Sequence, residues 1–270
     1  LLSSHDLMEF HGLFLRKKSK SLKPRKLSKD FTKNISLLDL DERPQQVEFA
    51  EKVEQLLKEQ KTAFIQAQTG LGKTYGYLLP ALSMESEGGI LVSVPTKILQ
   101  NQIMQEEGSR LKDTFHIDIH SLKGPQNYLK LDNFYKVLHR PESNRLFTRF
   151  KMQVLIWLTE TETGDLDEIG QLYRYQHFLA ELIHDGKLSQ KSLFITEDFW
   201  QRSQDRAKSS RLLLTNHAYL VTRLEDNPEF VNNRLVIIDE AQKMLIALEN
   251  LAQESYPLEA LVTQVEKSLE

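Results

Sequence analysis

The sequence predicts an α/β fold: a parallel sheet flanked by helices, with a mostly helical insertion. Three observations carry this. Short apolar runs at 90–94, 212–215 and 235–238 each precede polar residues and then a helical pattern. Strands buried on both faces and alternating with helices form parallel sheets. Between the first and second runs, at about 125–207, the apolar residues change to helical spacing: Leu146, Phe150, Val154, Trp157 and Leu158 on one face, Leu172, Tyr175, Leu179 and Ile183 on another.

In chain order, residues 1–40 read as a basic linker. From 16 to 33 Lys and Arg crowd together with Asp30 as the only acid, broken by Ser19, Ser21, Pro24 and Ser28. Such a run is a solvated segment or a basic arm that touches phosphates. The folded lobe is expected over 41–270. A helix is expected over 44–59, where Val47, Ala50, Val53 and Leu57 share a face and Pro44 suits the first turn. Ala63, Phe64 and Ile65 read as a buried strand, followed at once by a Gly-rich turn and a helix over 74–83. Residues 256–270 read as a last helix.

Composition excludes several classes. With 40% apolar and 27% charged residues the 270-residue chain has an ordinary globular balance, long enough for a real core. No apolar run approaches the length needed to span a bilayer, and the start shows no charged and apolar leader pattern. The absence of cysteine excludes disulfides and thiolate-held metal or iron–sulfur centres within these residues. A net charge of −3 means that any surface for nucleic acid must be a local patch. The expected location is the cytoplasm. Starting on Leu1 and ending on a helical pattern without a stop signal, the sequence reads as part of a longer chain.

The chemistry concentrates in two segments. Gln68-Thr69-Gly70-Leu71-Gly72-Lys73-Thr74 follows the expected strand and opens a helix. Gly70 and Gly72 allow a turn whose N–H groups, with the helix N-terminus, hold phosphate oxygens. Lys73 is placed to reach the outer phosphates of a nucleotide, and Thr74 offers its hydroxyl to Mg²⁺. The strict P-loop pattern has Gly where this chain has Ala67. In the second segment, Leu235 to Ile238 deliver Asp239 and Glu240 to the carboxyl end of a strand. Asp239 can hold Mg²⁺ and Glu240 can accept a proton from attacking water. Together they fit metal-assisted phosphoryl transfer from ATP to water; no residue stands out as the arginine finger that a complete site uses.

These residues, with Ala241, resemble the superfamily 2 helicases, and more narrowly the DinG branch related to XPD. Arg43-Pro44-Gln45-Gln46 is similar to the adenine-reading motif ahead of the P-loop. Val94-Pro95-Thr96-Lys97-Ile98-Leu99-Gln100-Asn101-Gln102 is similar to the motif that grips the DNA backbone. Leu122-Lys123-Gly124-Pro125-Gln126-Asn127-Tyr128-Leu129 and Leu214-Thr215-Asn216-His217-Ala218-Tyr219-Leu220 complete the ordered set, which covers roughly 40–248. The resemblance implies a RecA-like P-loop lobe that binds ATP and Mg²⁺ and works on single-stranded DNA, 5′ to 3′, with a second helicase lobe. It places nucleotide contacts at Arg43, Gln46 and 68–74, Mg²⁺ contacts at Thr74 and Asp239, catalysis at Lys73, Asp239, Glu240 and Gln242, and DNA contacts at Thr96, Lys97, Gln100, Lys123, Asn216 and His217. Gln242 stands where the family usually has His. Many relatives hold an iron–sulfur cluster on four cysteines near the insertion; this chain resembles the clusterless Gram-positive type, in which an exonuclease domain precedes the ATPase and 1–33 would be the joint. The absent cluster leaves a second reading: an ATP-gated single-strand-binding module that regulates a linked exonuclease without unwinding. A third, a P-loop enzyme acting on a small molecule, fits the ordered set less well.

Weaker constellations have plainer readings beside them. Thr96 also suits a helix cap, and Asn216 and His217 a structural turn. His116, Asp118 and His120 alternate as on one strand face, a polar edge or a metal site. The insertion's aromatics (Tyr128, Phe134, Tyr135, Phe147, Trp157, Tyr173, Tyr175, Phe178) read mainly as core. Lys123, Lys130, Lys136, Arg140, Arg145, Arg149 and Lys151 form a candidate basic groove for a single strand.

Overall fold

The computed structural model describes residues 6–19, 22–68, 70–84, 88–141 and 143–252; Thr69 and the helix expected at 256–270 lie outside them. The chain begins with an antiparallel hairpin, β1 (Leu7–Phe10) and β2 (Leu13–Arg16), turned by His11 and Gly12 at positive φ. Then come α1 (Phe31–Leu37), α2 (Pro44–Lys58), α3 (Lys73–Ser83), β3 (Ile90–Val94) and α4 (Lys97–Ile103). α4 runs through a π turn, Met104–Gly108, into α5 (Ser109–Phe115), and β4 (Ile119–Ser121) follows. The insertion carries α6 (Leu131–His139), α7 (Arg145–Leu158), α8 (Gln176–Leu179) and α9 (Phe199–Ser209). β5 (Leu212–Asn216), α10 (His217–Asp226), β6 (Leu235–Ile238) and α11 (Met244–Ala252) complete the order.

The sheet is parallel, in the order β4-β5-β3-β6. Every residue of β3 is buried, as a central strand covered on both faces requires. Helices α2 and α3 pack on the sheet through Val53, Tyr77, Leu78 and Leu82, in one core with Ile90, Val92, Leu212 and Leu214. The register pairs Val94 with Asn216 and Ser93 with Ile238. The segments after β3, β5 and β6 therefore emerge side by side at the carboxyl edge, where ligands bind in such sheets.

The insertion has its own core, with Phe134, Phe147, Phe150, Val154, Leu158 and Phe199 buried. Its rings stack on one another: Phe147 on Phe178 with centroids 4.2 Å apart, Phe150 on Tyr175 at 4.5 Å. Such pairs add about 1 kcal/mol beyond area burial. Of the eight aromatics read mainly as core, Tyr173 is exposed.

Three expectations are corrected. Residues 1–40 are not a solvated linker throughout. Leu13 and Leu15 of β2 are buried in the insertion's core, and Ile35 of α1 in the main core, with Asp30 capping α1; charge density hid short apolar alternations. Ala63 to Ile65 form no strand: Phe64 is 93% exposed, and no backbone group of 62–68 bonds to another backbone group among the described residues. An extended segment becomes a strand only where a neighbour takes its hydrogen bonds. Residues 172–183 do not make one helix. A 3-10 turn (Leu172–Tyr175) and the single turn of α8 stand there, and Ile183 bridges back to Leu129.

Candidate nucleotide-binding and nucleic-acid site

Gly70 and Gly72 both sit at positive φ (+80° and +84°), the left-handed region that glycine enters without a Cβ penalty. The turn is braced from α2. Gln46, buried, donates from Nε2 to the Gly72 carbonyl at 2.7 Å, and Arg43 donates to the Gly70 carbonyl at 3.2 Å. Residues read as nucleotide contacts thus also build the loop. Lys73 and Thr74 open α3 directly after it, Leu71 is half-buried and Gln68 is exposed.

Opposite stands the end of β6. The Asp239 N–H bonds to the Ser93 carbonyl at 2.9 Å, and Asp239 Oδ2 accepts from the Tyr77 hydroxyl of α3 at 3.3 Å. Burial, and then the Asp239 carboxylate, push the Tyr77 phenol well above its usual range, so it stays a donor. Glu240 adopts φ +49°, a costly conformation for a residue with a Cβ and one that clusters at functional sites. It pairs with Lys243 at 2.6 Å. The Lys243 hydrogen bond first, then the Lys243, Lys73 and His217 charges, hold its carboxyl below the usual range. Gln242 is exposed on the turn that follows.

The donor set suits Mg²⁺. A hydroxyl (Thr74) and a carboxylate (Asp239) are hard oxygen ligands, and the Tyr77 hydroxyl donates to the carboxylate. No group of three or more His, Cys, Asp or Glu side chains gathers into a cage among the described residues. One carboxylate, one hydroxyl, waters and phosphates is the set that Mg²⁺ takes in nucleotide sites.

The side chains read as DNA contacts divide. Thr96 caps α4, accepting from the Leu99 N–H at 3.2 Å. Lys97 Nζ donates to Asn127 at 2.7 Å and to Asp167 of the insertion at 3.3 Å, yet stays 44% exposed. Gln100 and Lys123 are corrected: both are fully buried. Gln100 Nε2 donates to Ser121 Oγ and to the carbonyls of Leu122 and Leu214, while its Oε1 accepts from Asn216. It is a clasp between α4, β4 and β5. Lys123 donates to Asp165 and, at 2.9 Å, to Asp167. Asn216 caps α10 through the Tyr219 N–H. His217 is buried beside Asp239 and Glu240; its Nδ1 shares a 2.8 Å hydrogen bond with Ser93 Oγ, and burial lowers its pKa.

The basic groove is likewise largely spent internally. Lys130 pairs with Asp185, Arg140 with Glu181, and Lys151 donates to the Arg140 carbonyl. Lys136, Arg145 and Arg149 stay exposed. The alternating trio does not converge. His116 is half-buried at positive φ, Asp118 pairs with Arg206, and His120 is buried on Ser203 with its pKa lowered by burial to about 4. Sequence reading missed Tyr77, Ser93, Asp167 and Lys243. Only Tyr77 carried a signal, one helical turn beyond Lys73 and so on the same face.

Sheet topology and the glycine turn at its carboxyl edge define an α/β domain of the RecA-like, P-loop class. The chain carries a DEAD/DEAH box helicase domain, matched over residues 44–160, and it is homologous to the DinG proteins. It is 31% identical over 215 residues to "3′-5′ exonuclease DinG" of Staphylococcus saprophyticus, covering 77% of this chain and 23% of that protein. Its identity to the protein of the same name from Staphylococcus epidermidis is 30%, over 80% of this chain and 24% of the relative. The Staphylococcus aureus counterpart is 28% identical over 79% of this chain, again 24% of the relative. The chain thus spans about a quarter of the length of these relatives. No helix among the described residues is long and apolar enough to cross a membrane.

Proposed function

We propose that this chain is the ATP-binding motor lobe of a DinG-like, ATP-dependent DNA helicase. Joined to a second lobe, it hydrolyses ATP with Mg²⁺ and moves along single-stranded DNA 5′ to 3′. The observation that carries the reading is the junction of α3 and β6: Tyr77 meets Asp239 across 162 residues of sequence, which brings Lys73 and Thr74 opposite Asp239 and Glu240. In this reading the N–H groups of the Gly70–Gly72 turn and the Lys73 ammonium hold the phosphates, Thr74 and Asp239 hold the metal, and Glu240 takes a proton from water. When bound, Mg²⁺ supplies charge stabilisation to the phosphates being parted. Arg43 and Gln46 place the loop, and Thr96 and Lys97 meet the DNA backbone. The cellular setting proposed is the bacterial cytoplasm, with residues 1–40 next to an exonuclease domain of the same longer protein.

Steady-state ATP turnover by the longer protein, with and without single-stranded DNA, tests this. Strong stimulation supports a DNA-coupled motor; turnover indifferent to DNA sinks it. A second reading, an ATP-gated module that regulates a linked exonuclease, is favoured by the balance of Lys97 and Lys123 against Asp165 and Asp167, which leaves little free positive charge there. ATP-dependent strand displacement would eliminate it.

A further inference from the structure

Tyr77 belongs to no phosphate-loop or acidic motif, yet its hydroxyl bonds to the carboxylate assigned to the metal. α3 places Thr74 and Tyr77 three residues apart, so they are neighbours on the helix surface. The phenol ring is anchored in the main core, 6% exposed and packed with Leu78, Leu82 and Val92. Its hydroxyl donates to Asp239 Oδ2 at 3.3 Å. The phenol has one proton, and the Asp239 carboxylate has none to give. The direction of the bond is therefore fixed: Tyr77 Oη–H to Asp239 Oδ2.

We infer that Tyr77 is a positioning residue for Mg²⁺: it aligns the Asp239 carboxylate before the metal arrives. A carboxylate bound at Oδ2 has its rotation about the Cβ–Cγ bond restrained and Oδ1 left free. A ligand held in place loses less freedom on binding, which is the source of affinity in a preorganised site. The ring's anchoring makes the support rigid, since a buried phenol in a close-packed core cannot follow the ligand if it drifts. The inference rests on the motor-lobe reading for the role of Asp239, and it adds a residue outside both motifs.

The test is Tyr77→Phe in the longer protein, with methylanthraniloyl-ADP affinity titrated against Mg²⁺. The ring stays, so packing is kept, and only the hydroxyl is lost. The expected result is unchanged ADP affinity in EDTA, with the Mg²⁺ concentration that gives half of the tightening raised about three- to ten-fold. In an Asp239→Asn background the same substitution is expected to shift the Mg²⁺ midpoint little further, since the oriented carboxylate is gone. An unmoved Mg²⁺ midpoint, with or without a fall in melting temperature, makes Tyr77 a packing residue and overturns the proposal. Equal shifts in both backgrounds also overturn it. If the wild type shows no Mg²⁺-dependent tightening, and Lys73→Ala binds ADP as the wild type does, the phosphate-loop reading itself has failed and takes this inference with it.

Discussion

Asp167 of the insertion stands 3.3 Å from the Lys97 ammonium of α4 and 2.9 Å from that of Lys123, and accepts a 3.2 Å bond from Asn101. A carboxylate of the insertion thus occupies the place that a backbone phosphate needs if Lys97 grips DNA. The substitution Asp167→Asn keeps the shape and removes the competing charge. It is expected to tighten single-stranded DNA binding about three-fold at low salt, fading toward 0.5 M as the charges are screened. Fluorescence anisotropy at several salt concentrations measures this. Unchanged or weaker binding would show that Lys97 serves the insertion and not the DNA.

The same carboxylate gives a pH dependence of stability. Burial pulls the Asp167 carboxyl up, but the Lys123 hydrogen bond and charge, with Asn101 and Lys97, win and hold it below the ordinary range. A depressed acid stabilises the folded state at pH values above its unfolded pKa, and loses that contribution as pH falls through the folded value. The stability gap between the parent chain and Asp167→Asn is expected to be full at pH 6 and to close progressively below about pH 4. Urea unfolding across that range checks it; a gap independent of pH contradicts the ion-pair account.

Lys123 is expected to matter for folding and not for DNA contact. Its ammonium is buried against Asp165 and Asp167, and burial raises the Asp165 carboxyl even against the Lys123 charge. Lys123→Met would strand two carboxylates, a loss of about 3–5 kcal/mol, the range for breaking a buried pair on one side. Combining it with Asp165→Asn and Asp167→Asn should return most of that loss. Denaturant midpoints decide: a small cost for Lys123→Met alone would mean that water reaches the site.

Much of this arrangement was legible, for reasons that differ by residue. β3 and β5 announced themselves because strands covered on both faces are mostly apolar, β6 because its four residues are all apolar though only half-buried, and the loop at Gly70–Gly72 because its backbone shape demands glycine. Lys123 and Gln100 misled because a Lys or Gln after a strand reads the same whether it faces solvent or is neutralised by carbonyls and carboxylates from distant segments. Asp167 lies 70 residues from Lys97, and nothing in local spacing joins them. β2 was missed because four residues among basic neighbours carry too little periodicity to outweigh charge. Ala63 to Ile65 show the opposite failure, a strand-like pattern without a neighbour to pair with.

Turnover and binding should separate at the nucleotide site. Lys73→Ala removes the cation that opens α3 and is expected to lower ATP affinity at least about ten-fold, the equivalent of a lost charge-assisted bond. Glu240→Gln keeps shape and polarity and is expected to leave ATP affinity within about two-fold while turnover falls at least a hundred-fold, the lower end for a general base. Equilibrium binding and DNA-stimulated turnover on the same preparations check the pair. Parent-like hydrolysis by Glu240→Gln would move the base to another residue.

Gly72→Ala probes the loop's backbone. At φ +84° an added Cβ is strained wherever it points, and here it would collide with Gln46 Nε2. Gln46 can swing away only by giving up its bond to the Gly72 carbonyl, which anchors the loop to α2. The strain alone costs about 1–3 kcal/mol, and the loop can avoid it by flattening its turn, which scatters the N–H groups meant for phosphates. Nucleotide affinity should therefore fall well below that of the parent, while global stability falls by no more than the strain. Gln46→Ala added to Gly72→Ala removes the collision but not the strain, so the double variant should stay deficient in binding. Full recovery would show that the collision with Gln46, and not the left-handed backbone, is what makes glycine necessary at this position.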